Sequence, residues 1–397
     1  MSPKKETYIL FTLAAVNFTH VVDFMIMMPL GPQLMRIFSI TPQDHSSLVS
    51  SYTFAAGVAG FLGAFAIDRF DRKRALQLVY LFFCLGTLAC AFAPSYSWLL
   101  LARAATGCFG GLQSGLVFSI IGDLVPLSRR GTAMGIVMTS FSIGSIIGVP
   151  FGLYLANKFN WHIPFVFLFL VGVIVFIAIC SVLPQMRDHV AQQKKEIDPL
   201  QVLKNVAQDR NQVIALSFTL ALMLGQFLII PLLSPYMVSN VGFKESDLPW
   251  IYFLGGGLTI FSAPIVGRLS DKYGKQKIFT IFSLLIPVPI LWITNMGVNP
   301  LWVGLLATCL FFVVTNGRFV PATTMTTAVV PPQNRGTFMS INSSVQQLGA
   351  AAGAAISGLI ISTGSSGQIV DFEWAGAGSV ALALTALYLG RKIQLKE

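Results

Sequence analysis

Long apolar runs separated by short polar stretches organise this chain. A helix needs about 20 apolar residues to cross a bilayer, and runs of that length fall near 7–36, 46–67, 73–93, 97–124, 132–156 and 162–183. A second set falls near 212–239, 247–269, 276–296, 300–326, 335–362 and 372–390. The stretch between the sets is polar and charged, and its segment "DPLQVLKNV" predicts a short amphipathic helix on the membrane surface. The pattern predicts an all-α membrane protein with twelve transmembrane helices. These form two six-helix halves, 1–183 and 212–397, joined by a linker over 184–211.

Two short sequences recur at matching places. "DRFDRKR" at 68–74 returns as "DKYGKQK" at 271–277, and "VPLSRRGTAM" at 125–134 returns as "VPPQNRGTFM" at 330–339. The offsets are 203 and 205 residues. Each pair follows the second or the fourth span of its half, so the halves repeat one another in parallel. Parallel repeats place a substrate site between the halves near mid-membrane.

Composition sharpens the membrane reading. Only 11% of the 397 residues are charged and 54% are hydrophobic, against about 25% charged in ordinary soluble domains. The net charge of +10 is a topology signal: with the N-terminus inside, 21 of the 26 Lys and Arg residues fall in cytoplasmic segments. Arg36, Lys158 and Lys244 fall outside. By the positive-inside rule both termini are cytoplasmic, and a nucleic-acid partner is not expected. The first apolar segment runs well past the length of a signal-peptide core and reads as the first span. The five cysteines lie inside apolar runs with no CxxC spacing, as small core residues do. No phosphate-binding loop, metal cluster or Ser/His/Asp arrangement is visible. The reading is therefore a non-enzyme with no cofactor and no metal, driven by a gradient and not by ATP.

Within this apolar background single polar residues stand out. In "HVVDFMIMMP", residues 20–29, Asp23 is a carboxylate in the middle of a span, where an unpaired charge is expensive. Asn17, His20 and Asp23 are spaced i, i+3, i+6, along one side of a helix. Such a stripe faces the bundle interior or a water-filled cavity. Asp23 is then a site that takes up and releases a coupling proton, with His20 tuning or sharing it. The alternative is a structural pair in which Asp23 accepts hydrogen bonds and fixes packing. Arg103, several residues into the fourth span, needs an internal carboxylate, and Asp23 is the acidic residue that sits mid-span. Alternatively Arg103 snorkels to the outer interface near Trp98.

Arg318, in "TNGRFVPATT", is the basic residue deep in a span of the second half, two residues after Asn316. It binds anionic or carbonyl-bearing substrate groups, makes a gate contact to the first half, or neutralises Asp23. Gln226, Tyr236, Asn342, Gln346 and Gln347 are further candidates to line a pocket. Gly144, Gly148 and Gly152 form a small-residue stripe on the fifth span that allows close helix approach, and Pro150 bends it.

The chain resembles the major facilitator superfamily over essentially its whole length. The family's loop signature, roughly G-x-L-a-D-R-x-G-R-[KR], is matched in part by "GAFAIDRFDRKR" and by "GRLSDKYGKQK", with Asp71 in place of a glycine in the first copy. Within the superfamily the N-terminal half is similar to the drug:proton antiporter-1 group. "LLLARAATG" resembles L-x-x-x-R-x-x-Q-G, with Thr106 in the glutamine position, and "GSIIGVPFG" resembles G-x-x-x-G-P-x-x-G, with Val149 before the proline. That variant, followed by "NWHIPF", is more similar to the sugar and nucleoside exporters of the group than to its multidrug pumps.

The resemblance implies a proton-coupled antiporter that exports a small organic molecule or drug by alternating access. It places Arg103 beside the cavity as part of a proton relay. It makes Asp68, Arg72 and Asp123 a charge cluster that locks the outward-facing state, with Asp271 repeating the pattern in the second half. The expected partners are a small-molecule substrate, protons and the lipid bilayer. The expected setting is a monomer in a bacterial inner membrane. A dedicated sugar, nucleoside or siderophore exporter or facilitator is the alternative, and a non-transporting receptor on the same fold is another.

Overall fold

The computed structural model describes residues 3–66, 70–126, 129–186, 199–330, 335–365 and 367–394. It is nearly all helical, as the apolar runs require: a backbone in lipid must satisfy its own hydrogen bonds. Among the described residues ten helical stretches are long and apolar enough to span a membrane.

The chain divides into two compact units. Residues 1–26 and 51–202 form the first, and residues 27–50 and 203–397 form the second. The helices of the N-terminal part are α1 (Pro3–Ile26), α2 (Gly31–Phe38), α3 (Pro42–Ala66), α4 (Arg72–Ala91), α5 (Tyr96–Leu124), α6 (Arg130–Ile143), α7 (Val149–Lys158) and α8 (Ile163–Val182). In the first unit α4 packs on α5 and α8, and α1 packs on α6 and α8. Its core is built around Leu13, Val16, Tyr80, Phe83, Ile120 and Val137.

After α9 (Pro199–Gln208), which falls in the stretch read as a linker, come α10 (Arg210–Phe227), α11 (Ile230–Tyr236), α12 (Leu248–Tyr273), α13 (Lys275–Leu285), α14 (Pro287–Thr294), α15 (Leu301–Thr327), α16 (Arg335–Ile360) and α17 (Phe372–Lys392). In the second unit α10 packs on α16 and α17, and α15 packs on α12 and α13. Phe218, Phe279, Met325 and Phe338 centre its core.

Local chemistry explains the helix ends. Asp71 caps α4 by accepting from the Arg74 amide, Ser95 caps α5 through the Trp98 amide, and Asp209 caps α10 through the Asn211 and Gln212 amides. Each cap satisfies a backbone donor that the helix itself leaves open. The two copies of the loop signature enter their next helices differently. Asp71 works by its side chain, whereas Gly274, 203 residues later, takes φ +97°, a conformation open to glycine and strained for other residues.

Three apolar runs are interrupted where one continuous helix was expected. The first run, read as 7–36, is α1 followed by a turn over 27–30 and the short α2. Pro29 and Pro32 lack the amide that would carry the helix through. The seventh run breaks at Leu228 and Ile229 before α11, whose Pro231 and Pro235 are followed by a π-helical turn, Met237–Val241. The ninth breaks at Ile286, before Pro287. Antiparallel strands β1 (Ser362–Thr363) and β2 (Ile369–Val370) join α16 to α17. The Asn240 amide donates to the Ile369 carbonyl at 2.8 Å and its oxygen accepts from the Ile369 amide at 2.9 Å, in the manner of a third strand.

Candidate functional site

The polar stripe of α1 is shared among several helices of the first unit. Asn17 donates to the Ser140 hydroxyl on α6 at 2.7 Å. Thr19 and the Tyr80 hydroxyl on α4 are hydrogen-bonded at 3.0 Å. His20 Nδ1 and the Tyr52 hydroxyl on α3 share a hydrogen bond of 3.0 Å. Asp23 meets α4 and α5.

Asp23 and Arg103 form the centre of the site. Arg103 Nη1 donates to Asp23 Oδ2 at 2.8 Å and to the Asp23 carbonyl at 3.2 Å. Thr87 Oγ1 donates to the other carboxylate oxygen at 3.0 Å. Both charged side chains are 0% exposed, while Trp98 is 51% exposed. Arg103 therefore turns inward to the carboxylate and does not snorkel past Trp98. Its Nε and Nη2 have no hydrogen-bond partner among the described residues, so one nitrogen carries the pairing to Asp23.

Tyr52 completes the constellation. Its ring centre lies 4.2 Å from the Arg103 guanidinium carbon, and it is stacked on Phe24 with centroids 5.4 Å apart. An aromatic face toward a guanidinium is attractive, the more so out of water. His20 reaches the pair through Tyr52 and makes no hydrogen bond to Asp23 among the described residues. Three glycines of α5 let α3 approach: a Cβ at Gly107 would lie 2.2 Å from the Tyr52 carbonyl oxygen, and one at Gly111 would lie 2.1 Å from that of Ala56. A Cβ at Gly110 would meet His20 and the Tyr52 hydroxyl at 2.7 Å.

Sequence reasoning named Asp23, His20 and Arg103 and missed Tyr52 and Thr87. A tyrosine or threonine in an apolar run is too common to stand out. The spacing of Gly107, Gly110 and Gly111 was a usable sign that another backbone comes close.

On the fifth span Gly144, Gly148 and Gly152 face α1. Added Cβ atoms there would meet Val21 at 3.1 Å, Val22 at 2.4 Å and Ile26 at 2.7 Å. Residues Gly144–Gly148 form a π-helical turn immediately before Val149 and Pro150, a local distortion of the kind that bends helices. Beside it lies an apolar cavity of about 140 Å³ lined by Phe18, Val22, Phe151, Gly152, Pro164 and Leu168. It offers no group to bind a proton.

Arg72 makes an ion pair with Asp123 at 2.5 Å, joining the start of α4 to the end of α5. Asp68 lies outside the described residues, and Asp271 is exposed in the last turn of α12.

In the second unit Arg318 is 4% exposed on α15 and makes no hydrogen bond or ion pair among the described residues. The Asn316 amide donates to the Thr259 carbonyl on α12 at 3.4 Å. Asn342 accepts from Thr219 at 2.8 Å. Tyr236 donates to the Thr294 and Met296 carbonyls at 3.3 and 3.0 Å and packs on Phe372, so its hydroxyl is engaged inside the unit. Gln226 and Gln346 are half-buried. Among the described residues no group of three or more His, Cys, Asp or Glu side chains is arranged to hold a metal.

Comparison with known proteins bears on the family and the fold. A family model described as Major Facilitator Superfamily matches residues 13–317 and 215–394. An uncharacterised MFS-type transporter of Bacillus subtilis, YbcL, is 23% identical over 394 residues, covering 99% of this chain and 98% of that one. A crystal structure of a bacterial homologue of the human lysosomal transporter Spinster, inward-facing and occupied, superposes with a TM-score of 0.78 at 16% identity. That match covers 99% of this chain and 97% of the other. The structure of a D-xylose–proton symporter gives a TM-score of 0.77 at 15% identity, with 98% of each chain covered.

Proposed function

Because the chain belongs to the major facilitator superfamily, and is therefore a multi-pass membrane transporter of small molecules and not an enzyme, we propose that it is a proton-coupled antiporter that exports a small organic molecule or drug by alternating access. The observation that carries this reading is the wholly buried Asp23–Arg103 pair. An ionised Asp23 attracts Arg103 and ties α1 to α5. A protonated Asp23 loses that charge and releases most of the attraction, while the Thr87 contact persists. Proton occupancy thus biases a contact between two helices, which is what a coupled two-state element needs. Tyr52 from α3 and His20 from α1 modulate the pair, and Asn17 anchors the same face of α1.

The rest of the reading follows the family's architecture. Twelve spans form two pseudo-symmetric halves, 1–183 and 212–397, joined by the cytoplasmic linker 184–211. Both termini are cytoplasmic, and the protein works as a monomer in a bacterial inner membrane. Arg72 and Asp123 act in gating together with Asp68 and Asp271. Gly144, Gly148 and Pro150 keep the fifth span tight against α1. Asn316, Arg318, Gln226, Tyr236 and Gln346 contribute from the second unit to substrate binding. The fourth- and fifth-span motifs support membership of the drug:proton antiporter-1 group. Val149, inserted before Pro150, favours its dedicated sugar, nucleoside or siderophore exporters as the second reading.

The test is flux in proteoliposomes under an imposed pH gradient, with cargo chosen by thermal-shift screening of drugs, sugars, nucleosides and siderophores at two pH values. Asp23→Asn is expected to abolish gradient-driven export and leave the fold intact. Wild-type export rates in Asp23→Asn would remove proton coupling at this residue.

A further inference from the structure

Arg318 poses a charge problem that its own unit does not solve. It lies nine residues before the end of α15, about 13 Å along the helix axis. A guanidinium stays protonated there, and a buried charge without a partner is strongly penalised. Yet among the described residues it has no acceptor. Among the described residues the acidic side chains of the second unit sit at helix ends or in loops: Asp44 opens α3, Asp209 caps α10, Asp247 immediately precedes α12 and Asp271 closes it, and Asp371 immediately precedes α17, which Glu373 opens. Glu245, in the turn before α12, pairs with Arg36. Asp23 is already engaged by Arg103 and Thr87 inside the first unit, so neutralising Asp23 is not the task left to Arg318.

A second orphan lies beside it. Thr315 precedes Arg318 by three residues, so both lie on one face of α15. The Thr315 hydroxyl is buried and has no hydrogen-bond partner among the described residues, neither across to another helix nor back to its own. The other threonines toward this helix end donate back to their own helix: Thr324, Thr326 and Thr327 to the carbonyl four residues before, and Thr323 to the one three before. A guanidinium fork and a hydroxyl on one face, with no acidic side chain, are donors waiting for an anionic acceptor. Guanidinium geometry matches the two oxygens of a carboxylate or phosphate.

We propose that Arg318 and Thr315 form an anion subsite that takes the carboxylate or phosphate group of the cargo, so that the transported molecule is an organic anion. The inference rests on the chain being a transporter and does not depend on proton coupling at Asp23.

The test uses the purified protein in phosphatidylcholine nanodiscs and matched probes, gluconate against glucose and adenosine 5′-monophosphate against adenosine. Thermal shift is expected to show that the charged member of at least one pair raises the melting temperature of the wild type by several degrees while its neutral partner does not. Arg318→Met and Arg318→Gln are expected to lose that shift, and Arg318→Lys and Thr315→Val to weaken it. Without ligand, Arg318→Met is expected to melt no lower than the wild type, because it removes an uncompensated buried charge.

No charge-dependent shift in the wild type would overturn the proposal, and so would a shift that survives in Arg318→Met. Lower unliganded melting temperatures in both Arg318→Met and Arg318→Gln would make the arginine a packing element, with the same consequence. Stabilisation by added phosphatidylglycerol that requires Arg318 would identify a lipid headgroup as the anion and overturn the assignment to cargo. Failure of Asp23-dependent flux, by contrast, would leave these binding outcomes unaffected.

Discussion

Tyr52 presents its ring to Arg103, with the guanidinium carbon 4.2 Å from the ring centre, while its hydroxyl is bonded to His20. One side chain from α3 therefore touches both the cation of the buried pair and the histidine one turn from Asp23. The two roles separate by substitution. Tyr52→Phe keeps the ring over Arg103 and loses the bond to His20. Tyr52→Leu loses both, and its additional destabilisation relative to Tyr52→Phe should include the roughly 0.5–2 kcal/mol of the cation–ring contact. Chemical denaturation in detergent would measure both. Equal stability of the two variants would mean that the ring contact contributes nothing.

The Asp23–Arg103 pair predicts strong non-additivity. Arg103→Gln leaves a buried carboxylate without its cation, and breaking such a pair typically costs about 3–5 kcal/mol. The double variant Asp23→Asn with Arg103→Gln removes both charges and should be more stable than Arg103→Gln alone. A double-mutant cycle on thermal unfolding reads the coupling directly. Simple additivity would show that the two side chains do not stabilise one another.

Close approach of α3 to α5 depends on glycine. Gly107→Ala and Gly111→Ala would each drive a methyl group into a backbone carbonyl, at 2.2 and 2.1 Å, so helix displacement and losses of about 1–3 kcal/mol or more are expected. Gly115→Ala, on the same helix, meets nothing within 4 Å and should leave the melting temperature unchanged or slightly higher, since alanine favours the helix. Indistinguishable effects at the three positions would count against this contact.

The fifth span offers a rescue experiment. In Gly148→Ala the new methyl would lie 2.4 Å from Val22 Cγ2, and valine is too stiff to swing away. The single variant is expected to be destabilised, and adding Val22→Ala should recover part of the loss. If Val22→Ala deepens the defect, the clash is not between these two residues.

Much of the site was legible as an anomaly before it was legible as a structure. Asp23 and Arg103 stood out because ionised groups are scarce in membrane spans, and their mutual pairing followed from each needing a partner. His20 was read as a partner of Asp23 from its position one turn away, yet its ring is taken by Tyr52. Helical spacing specifies a face and not which neighbouring helix supplies the contact. Asn17 and Thr19 show the same limit, since they turn to α6 and α4. Tyr52 and Thr87 left no trace because hydroxyl-bearing residues are tolerated throughout such helices.

The sequence by itself determined that this is an all-helical membrane protein, because apolar blocks of spanning length leave the backbone no other way to satisfy its hydrogen bonds. It also determined which charges are out of place. Tertiary structure alone decided how those charges are resolved. Arg103 closes on Asp23 under the Tyr52 ring, where α5 glycines admit α3. Among the described residues Arg318 finds no acidic partner in its own unit. The interruptions at Leu228–Ile229 and Ile286, the π-helical turn before Pro150, and the side-chain route from His20 to Arg103 were likewise settled by packing. The reason is physical: burial cost is a property of a residue and its place in a span, whereas pairing is a property of distances between helices that no local pattern encodes.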